Sequence, residues 1–83
     1  MDTIWTGRLV GAFCGYGYGR IYLLSDGSRW QQGDRTDEPV CREDPEARLL
    51  FNRDTGETFL DVSGTSAIVH VSRCGSRTLG RSI

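Results

Sequence analysis

Lysine is absent from this sequence, and all ten of its basic residues are arginine. Histidine and methionine occur once each and proline twice, and the longest apolar run is Ile21–Leu24. With no longer run, a membrane-spanning helix and a secretory apolar region are excluded. With no lysine, the phosphate-gripping loop of nucleotide hydrolases lacks its key cation. The three cysteines, Cys14, Cys41 and Cys74, form no C-x-x-C pair and make an odd count. They read as free thiols in a reducing, cytoplasmic compartment, not as a disulfide scaffold. Together with His70 they could compose a zinc set, but only His70 and Cys74 lie close in sequence. On an extended strand those two stand about 13 Å apart, too far for one ion. No metal and no cofactor is expected.

What is present describes a single small domain. The chain has 83 residues, 37% of them apolar and 25% charged, with a net charge of -1. This length holds one core. The composition is too apolar and too nearly neutral for a disordered chain. Charge is unevenly spread: residues 31–62 carry nine acids against four arginines, whereas 63–83 carry Arg73, Arg77 and Arg81 and no acid. The acidic overall balance argues against a general nucleic-acid binder. Scattered arginines serve as surface charge sooner than as one anion-binding patch.

The pattern along the chain is all-β. Ile4–Val10 alternates, Arg20–Leu24 is rich in β-formers, and Asp26-Gly27 then precedes Ser28–Gln32. Asp-Gly as a two-residue loop predicts a type I′ hairpin. The acidic stretch 33–46, with both prolines, predicts a loop. Arg48–Asn52, Glu57–Val62 and Ala67–Arg73 read as further strands, joined by Asp54-Thr55-Gly56 as a type I turn with a glycine bulge and by Gly64-Thr65. The sum is a small antiparallel barrel of five to six short strands, an SH3-like meander, over residues 1–73. Residues 74–83 read as a flexible tail. The inward set is Trp5, Leu9, Ile21, Leu23, Trp30, Leu49, Phe51, Leu60, Val62, Val69 and Val71. Alternation then turns Tyr22, Leu24, Leu50, Phe59 and Ile68 outward. That second apolar face predicts a homodimer or larger homo-oligomer.

Four segments carry a resemblance: Gly11–Phe13, Leu24–Gln32 (LSDGSRWQQ), Glu57–Gly64 (ETFLDVSG) and Ile68–Arg73 (IVHVSR). In these the chain resembles a group of short bacterial proteins, many encoded on the mobile gene cassettes of integrons. The resemblance covers most of residues 4–73 and implies a small β-barrel with no established activity. It departs from the group at TDEPVCREDPEARL, where many members carry a tyrosine-rich run.

Candidate ligand- or partner-binding residues are Tyr16, Tyr18, Arg20 and Trp30. The first three belong to the glycine-rich run GAFCGYGYGR, where tyrosines can stack on a planar group and the arginine supplies charge. The run lacks the third glycine of the dinucleotide fingerprint, since Arg20 stands there. Trp30, directly after a hairpin, reads as a core plug sooner than as a groove wall. His70 could serve as a general base if Asp61 or Glu57 on the neighbouring strand oriented it, but the cross-strand match is loose. The function expected is a non-enzymatic binding module for a protein or small ligand. The alternative is a minimal enzyme whose site forms at the symmetry axis of an oligomer.

Overall fold

Period-two alternation of apolar residues sets the main sheet. The computed structural model describes residues 1–74 and contains eight strands and no helix among them. These are β1 (Asp2–Arg8), β2 (Ala12–Tyr16), β3 (Ile21–Leu23), β4 (Arg29–Gln32), β5 (Glu38–Glu43), β6 (Glu46–Asn52), β7 (Glu57–Val62) and β8 (Ile68–Arg73). Six of them form one antiparallel sheet in the order β1-β6-β7-β8-β4-β3, and β2 pairs with β5 in a second. Leu49 lies opposite Leu60, and Leu60 opposite Val69, so one buried row crosses three strands. Ala47, Val62 and Val71 extend it. A bulge between Thr3 and Trp5 turns Trp5 toward the core opposite Leu49 and leaves Ile4 exposed.

The main sheet curls until its edge strands touch. Leu9 bridges Leu24, the Val10 N–H donates to the Leu23 carbonyl at 2.9 Å, and the Ser25 N–H donates to that of Arg8 at 2.8 Å. Contact is confined to this end, and the sheet is not closed into a barrel. The β2–β5 pair packs over the curl through Phe13 and Tyr16. Their rings meet Tyr22 in an aromatic cluster with centroids 5.5 to 6.4 Å apart.

Several expectations are corrected by the fold. Glu38–Glu43, inside the acidic stretch read as a loop, is a strand, and it pairs with another strand at Ala12–Tyr16 in the glycine-rich run. Tyr22 and Leu24, placed outward with the oligomer face, are buried at 6% and 0% exposure, and Ile21 and Leu23 are exposed instead. The hairpin loop explains the inversion. Leu24 and Ser28 close it, with the Leu24 N–H on the Ser28 carbonyl and the Gly27 N–H on that of Leu24. Only Gly27 has positive φ, at 90°. This is a three-residue type I turn with a glycine bulge, not a type I′ pair. One extra loop residue puts Tyr22 opposite Trp30, and every side chain on β3 changes face. The second hairpin also runs one residue longer than expected, with Gly56 bonded back to the Asn52 carbonyl. The expected tail lies outside the described residues from position 75 onward.

Candidate binding cleft beside the glycine-rich turn

Residues 10–23 form one wall of the molecule and are held from behind by buried polar groups. The Arg20 N–H donates to the Gly17 carbonyl, and Gly19 has a φ of 80°. That is a type II turn with Tyr18 at its exposed tip, and it needs glycine at its third position. Gln32, 1% exposed, pins the turn. Its Oε1 accepts the Gly17 N–H at 3.0 Å and the Tyr22 hydroxyl at 2.6 Å. Its Nε2 donates to the Asp34 carboxylate and to the Thr36 carbonyl at 2.9 and 2.7 Å. Burial opposes the charge on Asp34, but donors from His70, Thr36 and Gln32 outweigh it and hold its carboxyl below the usual range.

In front of this support lies a cleft of about 200 Å³ between β2 and β3. Val10, Ala12, Ile21 and Leu23 line it with Cys14, and Arg20 is the only charged residue in its lining. Val10 and Ile21 are more than half exposed, at 53% and 58%. Arg20 makes no ion pair among the described residues. Its side chain folds over Gly17, where a Cβ would come within 2.9 Å of Nε. The glycine therefore makes room for the arginine as well as for the turn.

Larger concavities exist, and in one of them two ion pairs occupy the charges. That concavity, about 580 Å³, is lined by Arg8, Glu46, Arg48 and Asp61 among others. There Arg8 pairs with Glu46 at 3.5 Å and Arg48 with Asp61 at 2.9 Å. No charge is left over in those two pairs to recruit a ligand.

The residues singled out in the sequence are dispersed by the fold. Tyr16 is a core peg with 1% exposure. Its hydroxyl accepts the buried Val62 N–H at 3.0 Å and lies 2.9 Å from the Thr65 hydroxyl and 3.1 Å from the Ala67 carbonyl. It offers no surface for a ligand, which corrects its placement among the binding residues. Burial pushes the phenols of Tyr16 and Tyr22 up, Tyr22 to about 12, so neither moves protons near neutrality. Tyr18 is exposed, with the Arg35 guanidinium 5.2 Å from its ring centre. Trp30 packs against the core and donates its indole N–H to Ser28 at 2.9 Å, away from the cleft lining. Of the four, only Arg20 lines the cleft.

Leu50, Phe59 and Ile68 do share the outer face of the main sheet, each half-buried, without Tyr22 and Leu24. His70 stands there too, edge-on to Phe59 and 3.6 Å from the Glu57 carboxylate. The aliphatic lining of the cleft was missed because the wrong loop length turned Ile21 and Leu23 inward. Among the described residues no helix is long and apolar enough to cross a membrane. Comparison of the chain with protein-family models, curated proteins and solved structures found no match.

Proposed function

We propose that the chain is a non-enzymatic binding module working through the β2–β3 cleft, and that its ligand is the C-terminal end of a partner protein bearing a branched apolar side chain. One observation carries this reading: exposed aliphatic groups surround a single arginine that has no ion pair among the described residues. Apolar side chains gathered around one charge favour an apolar group with a carboxylate at its end. Size favours the same class. A volume of about 200 Å³ falls below the roughly 300–1,000 Å³ of small-molecule and cofactor sites. It suits one or two side chains and disfavours a nicotinamide-using enzyme. The contact between the sheet edges at Leu9 and Leu24 supports regarding the scaffold as an incomplete SH3-like barrel. Membership of the cassette-encoded group and a cytoplasmic site of action fit this reading without carrying it.

The test is the affinity of a labelled short peptide ending in leucine, with a free carboxylate or an amide, followed by fluorescence anisotropy. The free acid is expected to bind more tightly. Arg20→Gln is expected to weaken it about threefold to fivefold, the worth of an exposed ion pair, and to erase the preference over the amide. Equal affinity of acid and amide for the unaltered protein would overturn the proposal.

Self-association is a second reading, supported by the adjacency of Leu50, Phe59 and Ile68 on the outer face. It predicts a dimer mass by light scattering behind a sizing column. It also predicts reversion of Phe59→Glu to the mass of one chain. A single-chain mass at high concentration for the unaltered protein would refute it.

A further inference from the structure

Cys14 on β2 and Cys41 on β5 are directly opposite each other in the second sheet. The type of pairing at that position follows from the ladder. The Asp44 N–H donates to the Gly11 carbonyl at 3.0 Å, so Gly11 and Asp44 face each other at a hydrogen-bonded position. Hydrogen-bonded and non-hydrogen-bonded pairs alternate along antiparallel strands. The register is regular from Ala12–Glu43 through Phe13–Arg42 to Cys14–Cys41, which makes the cysteines a non-hydrogen-bonded pair. At such positions Cα atoms approach to about 4.5 Å and side chains lie closest, within the range a disulfide spans. Both cysteines are exposed and free. The neighbouring Cys14 thiol is the main reason the Cys41 thiol is pushed up. Cys74 stands elsewhere, at the end of β8, with its N–H on the Arg29 carbonyl.

We propose that Cys14 and Cys41 form a redox modification site, closing to a reversible cross-strand disulfide by exchange with a small disulfide of the oxidised-glutathione class. One cysteine thiolate attacks the small disulfide, giving a mixed disulfide and releasing one small thiolate. The second cysteine loses its proton, attacks the bound sulfur and expels the other small thiolate. The two cysteines are oxidised, the small disulfide is reduced to two thiols, and the cysteine protons end on those thiols. The ring so closed encloses β3 and β4. It also ties Cys14, part of the cleft lining, to the strand behind it.

The test is incubation of the full chain in glutathione buffers of graded poise, alkylation of the remaining thiols, tryptic digestion and mass spectrometry. Arg20, Arg29 and Arg35 lie between the two cysteines, so trypsin separates them. The expected product is one linked peptide pair containing Cys14 and Cys41, with Cys74 alkylated, and its full reversal by reduced glutathione. Cys14→Ser and Cys41→Ser should each leave the other cysteine as a glutathione adduct with no internal link. Recovery of both cysteines of the unaltered protein only as separate adducts would overturn the proposal. So would linkage through Cys74 or between chains.

Discussion

Gln32→Leu is expected to cost about 4 kcal/mol of folding stability. Leucine matches the volume roughly, so the loss comes from stranded partners and not from a cavity. The Tyr22 hydroxyl and the Gly17 N–H lose their shared acceptor, and Asp34 and Thr36 lose a donor. Each buried group left without a partner costs about 1–3 kcal/mol. Gln32 ties β4 to the glycine-rich turn, to β3 and to the segment leading into β5, so the loss is shared by three parts of the chain. Urea unfolding followed by tryptophan fluorescence measures it as a fall in midpoint at unchanged slope. A loss below about 1 kcal/mol would mean that water replaces the amide, and that the turn is not held as described.

Tyr16→Phe is the second large effect, expected at about 2 kcal/mol. The ring stays in the aromatic cluster with Phe13 and Tyr22, and only the hydroxyl goes. What is lost is the partner of the buried Val62 N–H and the link from β2 to Thr65 and Ala67. Tyr18→Phe should change stability by less than about 0.5 kcal/mol, since its side chain is exposed. The contrast separates two tyrosines that stand two residues apart in the same glycine-rich run. Equal effects from the two would contradict the assignment of Tyr16 to the core.

The meander was readable because β6, β7 and β8 bury one face and alternate cleanly, and because Gly56 and Gly64 mark their turns with positive φ. The β2–β5 pair was not. Its strands carry glycine, proline and acids, which have low β-propensity, and their partners come from distant parts of the sequence. Phe13 and Tyr16 held the one usable signal, large aromatics pointing to a common core. The cleft was lost to a single local error. Asp-Gly at a two-residue loop pairs Leu23 with Trp30; at the observed three-residue loop it pairs Tyr22 with Trp30. Nothing in the sequence of the turn distinguishes the two lengths, because Gly27 takes positive φ in both. Arg20 was found for its charge, but its neighbours in the cleft depend on that register.

The β2–β3 cleft as the contact surface is tested most directly by titrating isocaproate, a branched apolar carboxylate, into the protein while amide correlation spectra are recorded. The proposal predicts saturable shifts at Val10, Ala12, Cys14, Ile21 and Leu23 and at the Arg20 side chain, with about millimolar affinity for so small a probe. Isocaproamide should give weaker shifts at the same residues. Shifts confined to Leu50, Phe59 and Ile68, or no saturable shift at all, would contradict it.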